Sequence, residues 1–320
     1  KELKKKYVQN LIKLGNSKAI TFPQEWTKQA DLEEKSEVTL YPLDEKTLIV
    51  KAIDRREQKT VFTLDSSRWP FRLIKQAIIS AFKLNVDEIR LQYTEKNQDD
   101  LYSLLIDLRR EIIGLDFKQT EDDEFVINFL LDTKKTDVPE VLSALASVFD
   151  KVINKAIDGT LKKNDEILLA EIDRKYSLGT RILITGLSSF PVARGYNNLP
   201  IIRFLGDRVI LLYIRDFINE SFFLQYISDG TIAKYKEILS KIPGLLTEII
   251  NNYGNINLET IERFQEYLKK LNADLDSIDY DESSLEEQEI RNLLNYYLHS
   301  FGNFFDIGIT RLIESEIGMV

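Results

Sequence analysis

The residues best suited to chemistry in this sequence are the lysines at its start. Six lysines and one glutamate occupy residues 1–18, a local charge of +5, which leaves −14 for the rest of a chain whose net charge is −9. Contacts between ammonium groups and phosphates supply most of the affinity of proteins for nucleic acid. The cluster therefore indicates a small module that meets a polyanion while the rest of the chain repels it. The alternative is a solvated lysine face that binds nothing.

Cysteine and histidine chemistry is almost excluded. The chain has no cysteine and one histidine, His299, which rules out disulfides, thiolate metal sites, cysteine nucleophiles and multi-histidine metal sites. The middle of the chain has no glycine-rich phosphate loop and no facing pair of carboxylates at a defined spacing. We therefore predict that the protein is not an enzyme and needs no cofactor.

A membrane-spanning segment is not expected. A spanning helix needs about 18 or more consecutive apolar residues, and charged residues interrupt every apolar run here. The pattern of a secretory signal is also missing from the given sequence. We expect a cytoplasmic, nucleoid-associated protein that does not insert into a membrane.

Apolar periodicity divides the chain into three predicted domains. Residues 1–56 are typical of two hairpins around a short helix, with Gly15-Asn16-Ser17 as the first turn and Pro23 opening the helix. Residues 57–137 alternate strands and helices, which predicts a small α/β domain. Residues 138–320 have a helical period throughout. Six helices are predicted there, at 138–157, 164–187, 201–227, 231–253, 258–275 and 285–317.

The helical domain contains an internal repeat. Leu205-Gly206-Asp207 and Phe301-Gly302-Asn303 align at an offset of 96 residues, and the same offset aligns Arg215 with Arg311. Two tandem three-helix bundles, at about 138–230 and 231–320, are the simplest interpretation.

The first domain resembles the AbrB/MazE/SpoVT swapped-hairpin family. The resemblance lies in GNSKAITFPQEW (residues 15–26) and LEEKSEVTLYPLDEKTLIVKAI (residues 32–53). It implies a DNA-binding β-barrel that two chains form by interleaving their hairpins, and therefore a homodimer. One departure is Lys35-Ser36, where the family usually has a glycine and an acid. We take Trp26, in this segment, and Trp69, in the middle domain, as core anchors.

The candidate DNA-binding residues are the lysines of the first hairpin and the polar residues beside them. They are Lys4, Lys5, Lys6, Asn10, Lys13, Asn16, Ser17, Lys18 and Thr21.

The helical domain resembles the PhoU family, and the order of the domains is similar to that of archaeal PhoU-like proteins with an AbrB-type head. The resemblance lies in EIDRKY (residues 171–176) and in the Gly-Asp pair at residues 206–207. PhoU third helices carry glutamate and aspartate four residues apart as metal ligands. The equivalent positions here are Arg203, Asp207, His299 and Asn303, so three of four carboxylates are replaced and we predict no metal site.

Two features of this domain have two possible interpretations each: the residues around Asp207 and the segment 189–200. Asp207 could retain a metal site with Glu171 and Asp173, or Arg203, Asp207, Arg208 and Asp173 could form an ion-pair network. His299 is expected to be packed or hydrogen-bonded. The turn-rich segment 189–200 is either a partner-binding tip or a plain connector.

The predicted protein is a multi-domain α+β homodimer that binds double-stranded DNA and regulates transcription. Its PhoU-like body would sense a signal or dock a protein partner, with a link to phosphate uptake that rests on the resemblance alone. An architectural, chromatin-associated protein of low sequence specificity is the alternative. A MazE-like antitoxin is a third, although antitoxins end in a disordered toxin-binding tail and this chain ends in predicted bundles.

Overall fold

The computed structural model describes residues 7–42, 46–52, 59–131, 136–162, 165–188, 203–252 and 256–316. They form a mixed α+β protein with a helical C-terminal part, which confirms the coarse fold class. Contacts divide the chain into two compact units, Lys1–Gln58 and Lys59–Val320. We call the described residues of the first unit the head and those of the second unit the body.

The head consists of two antiparallel hairpins and one short helix. In chain order they are β1 (Ile12–Leu14), β2 (Ser17–Ala19), α1 (Gln24–Gln29), β3 (Val38–Pro42) and β4 (Leu48–Ala52). β1 pairs with β2 and β3 with β4, as two separate sheets. Among the described residues of a single chain, these strands form no closed barrel. The dimeric barrel therefore stays a prediction.

The body begins with a four-stranded sheet covered by two helices. Its elements are β5 (Val61–Asp65), α2 (Phe71–Lys83), β6 (Glu88–Gln92), α3 (Gln98–Glu111), β7 (Leu115–Gln119) and β8 (Glu124–Phe129). The strand order is β5-β6-β8-β7, and only β5 and β6 are parallel. Leu64, Phe82, Ile89 and Phe125 lie fully buried in its core. Trp69, predicted to be a core anchor, is instead 40% exposed.

In the described residues that follow there are six long helices, at nearly the predicted positions. They are α4 (Val138–Ile157), α5 (Glu166–Ser188), α6 (Arg203–Ser221), α7 (Asp229–Asn252), α8 (Leu258–Ser277) and α9 (Leu285–Glu316). The predicted helix 201–227 differs, because α6 ends at Ser221 and a 3₁₀ turn, Phe222–Tyr226, follows. Asp137 caps α4 by accepting a hydrogen bond from the Glu140 N–H.

Equivalent helices of the two predicted repeats pack against each other. α4 and α7, the first helices of the repeats, are in contact, and so are α6 and α9, the third helices. One cluster of buried apolar side chains includes residues from all six helices. At its centre, the Phe217 ring lies 5.1 Å from the Tyr297 ring and 5.8 Å from the Phe149 ring. The helical part is thus built around a single continuous core.

The four-stranded sheet has a core of its own within the same compact unit. Its helices α2 and α3 pack against α5 of the helical part. The division of the chain into three domains stays a prediction.

Candidate nucleic-acid interface

The first hairpin places two lysines side by side. Lys13 of β1 is the direct cross-strand partner of Lys18 of β2, so both side chains lie on one face of the hairpin. Both residues are exposed. Two like charges directly opposite each other destabilise a hairpin in the absence of an anion. This face is therefore suited to contact with a polyanion.

The opposite face of the same hairpin is apolar. Ile12 pairs with Ala19, and Leu14 pairs with Ser17. Because successive side chains of a strand alternate between faces, Ile12 and Leu14 point away from the lysines. They are 50% and 69% exposed. The hairpin thus has a cationic face and an uncovered apolar face.

The turn between β1 and β2 is shorter than predicted. Gly15 has φ +59°, a left-handed conformation that glycine adopts without a steric penalty, and a Cβ there would meet nothing within 4 Å. Ser17, predicted as a turn residue, is the first residue of β2. The loop therefore consists of Gly15 and Asn16 alone, and Asn16 lies at its tip.

Most of the other candidate residues are near this hairpin. Asn10 and Thr21 flank the hairpin in sequence, and the Thr21 hydroxyl donates a hydrogen bond to Gln9 Oε1 at 3.2 Å. All six described candidates are exposed: Asn10, Lys13, Asn16, Ser17, Lys18 and Thr21. Lys4, Lys5 and Lys6 lie outside the described residues.

The head as a whole buries no side chain. Every described residue from 7 to 52 is intermediate or exposed. Among its contacts, the Phe22 and Trp26 rings lie 5.0 Å apart, and the Tyr7 hydroxyl donates to Glu25 Oε2 at 2.6 Å. The hydrogen bond with this carboxylate raises the pKa of Tyr7. Trp26 is half-buried.

The two α6 positions of the degenerate PhoU-type motif, Arg203 and Asp207, form ion pairs with residues of α9. Asp207 Oδ1 accepts a hydrogen bond from Arg311 Nη2 at 2.6 Å, and both side chains are 4% exposed. One turn away, Arg203 Nε lies 3.4 Å from Glu314 Oε2. Arg311 is the repeat equivalent of Arg215, whose guanidinium lies at Tyr176, so the repeat did not indicate the partner of Asp207.

The predicted ion pairing is confirmed for Arg203 and Asp207, but their partners on α9 were not predicted. Asp207 and Arg203 pair with Arg311 and Glu314, whereas Arg208 donates to the Tyr176 hydroxyl at 2.8 Å. The other two positions of the motif, His299 and Asn303, lie on α9. Asn303 donates to the Tyr213 hydroxyl at 2.9 Å, and His299 is exposed, not packed.

Sequence reasoning missed a cationic cluster around Tyr176 of α5. Lys83 Nζ, the Arg208 guanidinium and the Arg215 guanidinium lie 5.0, 5.1 and 4.3 Å from the centre of this ring. Burial and the two arginines lower the pKa of Lys83. Burial, followed by the charge of Glu111, raises the pKa of Asp173. The cluster joins the end of α2 to α5 and α6.

Two kinds of feature are absent from the described residues. No group of three or more histidine, cysteine, aspartate or glutamate side chains is arranged to hold a metal ion. Within the same residues, no helix has both the length and the apolar character that a membrane crossing requires.

The proposed partner segment 189–200 lies outside the described residues. Comparison of the chain with protein-family models, curated proteins and solved structures gives no match.

Proposed function

We propose that the protein is a homodimeric DNA-binding transcriptional regulator whose head contacts duplex DNA. The observation that carries the proposal is that the head leaves many of its apolar side chains exposed and buries none fully. Leu11, Ile20, Leu40 and Leu48 are 64%, 45%, 54% and 52% exposed. Apolar surface on this scale is stable in water when a second surface covers it. Two heads that interleave their hairpins into one barrel would supply that surface.

The same dimer would present the lysines outward. Burial of the Ile12 and Leu14 face leaves the Lys13 and Lys18 face toward solvent. The two-fold axis doubles this pair to four lysines and matches the approximate two-fold symmetry of duplex DNA. Asn10, Asn16 and Thr21 add polar groups that can reach phosphates or base edges.

The proposal for the body is a sensor or a docking platform built from two PhoU-like three-helix repeats. The contacts between equivalent helices support the repeats, since α4 packs on α7 and α6 packs on α9. In the Asp207–Arg311 and Arg203–Glu314 pairs, each carboxylate is already neutralised by an arginine. A protein partner is therefore a better candidate for the signal than a metal ion is. A link to phosphate uptake remains part of this proposal.

The test is DNA binding by the full chain with Lys13 and Lys18 changed to alanine. Each lost phosphate contact reduces the slope of log K against log salt by about 0.9, so loss of four contacts in a dimer reduces it by roughly 3.6. Fluorescence anisotropy at several salt concentrations, with a duplex enriched from a random library, measures this. Lys118→Ala with Lys151→Ala is the matched control, because it removes the same charge from exposed positions of the body.

The outcomes separate the candidate functions. Weaker binding and a smaller slope in the head variant alone support the proposal. Equal binding by the head variant and the wild-type chain would overturn it. If the library yields no preferred sequence and all duplexes bind alike, the architectural function replaces the regulatory one.

A further inference from the structure

The sheet of the body has an uncovered edge at β5. In the parallel pair, Thr60 O accepts from the Glu88 N–H and the Ser66 N–H donates to Gln92 O, so even-numbered residues bond toward β6. Val61 and Thr63 therefore direct their N–H and C=O groups outward. Among the described residues, no strand pairs with this edge. An open edge of this kind is a template for another strand.

An apolar groove runs along the same edge. It has a volume of about 450 Å³ and lies between β5 and α2, lined chiefly by Val61, Phe62, Trp69, Leu73, Ala77 and Leu84. No charged residue lines it. Trp69, Leu73 and Leu84 are 40%, 42% and 62% exposed. The groove thus adds a side-chain surface to the hydrogen-bonding edge.

The other edge of the same sheet is protected. β7 carries exposed Asp116 and Lys118, and Arg109 pairs with Asp116 at 2.5 Å. Charged side chains on an edge strand discourage pairing with another chain. The β5 residues that occupy the same rows of the sheet as Asp116 and Lys118 are Val61 and Thr63. The protection is therefore selective, which marks the β5 edge as an interface.

We infer that the β5 edge and its groove dock a second copy of this chain, strand against strand, around a two-fold axis. In an antiparallel pair of two β5 strands with Val61 opposite Thr63, Lys59 lies opposite Asp65 of the second copy. Opposite charges then meet at both ends of the pair. α2 runs antiparallel to β5, so the axis also brings Trp69 of one copy to Leu84 of the other. The small residues Ala77 and Ser80 lie between these ends and let the two helices approach.

The chain connection favours a second copy over an unrelated peptide. This argument rests on the proposed homodimer of heads. β5 begins at Val61, nine residues after β4 ends at Ala52. A head dimer would therefore hold two β5 edges at a high effective concentration, which converts a weak contact into a stable one. An extended peptide of another protein, or an apolar small molecule, is the competing occupant.

The experiment is cross-linking through a single introduced cysteine. The chain has no cysteine of its own, so Thr63→Cys in the 320-residue chain provides a unique thiol next to the proposed axis, which passes at Phe62. A short bismaleimide should convert this variant to a covalent dimer several-fold faster than Lys118→Cys, the matched control on the β7 edge. Addition of Leu73→Glu to Thr63→Cys should abolish the difference, because it places a charge in the groove.

The possible results test the edge dimer, the head dimer and the proposed function separately. Equal cross-linking at both edges, or none at Thr63→Cys, would overturn the inference. If sedimentation equilibrium still shows a dimer in that case, the proposed head dimer stands and the edge dimer alone fails. Cross-linking at Thr63→Cys in a protein whose DNA binding does not depend on Lys13 and Lys18 would support the edge dimer and overturn the proposed function.

Discussion

The head and the body deal with apolar residues in opposite ways. The body encloses Phe217, Tyr235 and Tyr297 completely, whereas the head leaves Leu14 69% and Leu40 54% exposed. The reason is size, because about 50 residues in two hairpins enclose too little volume for a core. A region that cannot bury its apolar residues alone is a candidate for association with a partner chain. In the proposed dimers, association would be part of folding in the head and an addition to folding in the body.

The two regions also differ in how they use charge. The body has enough depth to bury the Asp207–Arg311 pair, with both side chains 4% exposed. Every charged residue described in the head is exposed. Charge is therefore part of the buried structure in the body, and in the head it lies at the surface.

The largest expected loss of stability comes from breaking the buried Asp207–Arg311 ion pair of the body. Arg311→Met removes the cation from a buried carboxylate, and we expect it to lower the free energy of unfolding by about 3–5 kcal/mol. Urea denaturation measures the change. Arg68→Met is the control, since the side chain of Arg68 is 84% exposed in its pair with Asp65 and should lose less than about 1 kcal/mol.

A double variant sharpens this prediction. Asp207→Leu with Arg311→Met replaces both charges by apolar groups and should recover much of the lost stability. Equal losses in Arg311→Met and Arg68→Met would show that the buried pair contributes no more than a surface pair does.

Dilution of the protein is expected to have an intermediate effect on the stability of the head. If two heads fold together, each tenfold dilution below full association lowers the stability of the head by about 1.4 kcal/mol. The core of the body, which lies within one chain, should not respond. Hydrogen exchange of amides in β3 and in α4, followed over a range of protein concentrations, measures both regions in one sample. Exchange in β3 that is independent of concentration would contradict the head dimer.

The smallest expected change in stability comes from substituting Lys35, which lies in a turn of the head. Lys35 has φ +73°, a left-handed conformation that costs a residue with a side chain roughly 1–2 kcal/mol. Glycine adopts it freely but loses more chain entropy on folding, so Lys35→Gly should stabilise the head by up to about 1 kcal/mol. Lys28→Gly, in α1, removes the same charge and should destabilise by about 1 kcal/mol. Thermal denaturation that gives both variants the same sign would contradict this account.

Local elements were predictable from the residues alone. The 3.6-residue period places α4 at residues 138–157, as the structure has it, and Asp137 caps its first turn. The Gly15-Asn16 turn and Pro23 likewise mark the first hairpin and the start of α1. These features depend on neighbours within a few residues, so a single sequence contains their cause.

Long-range partners required the tertiary structure. Arg311 reaches Asp207 across 104 residues, and the sequence offered Arg208 and Asp173 as partners instead. Trp69 and Leu73 are apolar and look like core residues, yet the strand order places β5 at an edge and leaves them exposed. Periodicity identifies the apolar face of a helix or strand, but the packing of distant elements decides whether that face is covered. The sequence therefore determined the elements and their polarity, and the tertiary structure decided which surfaces remain available to a partner.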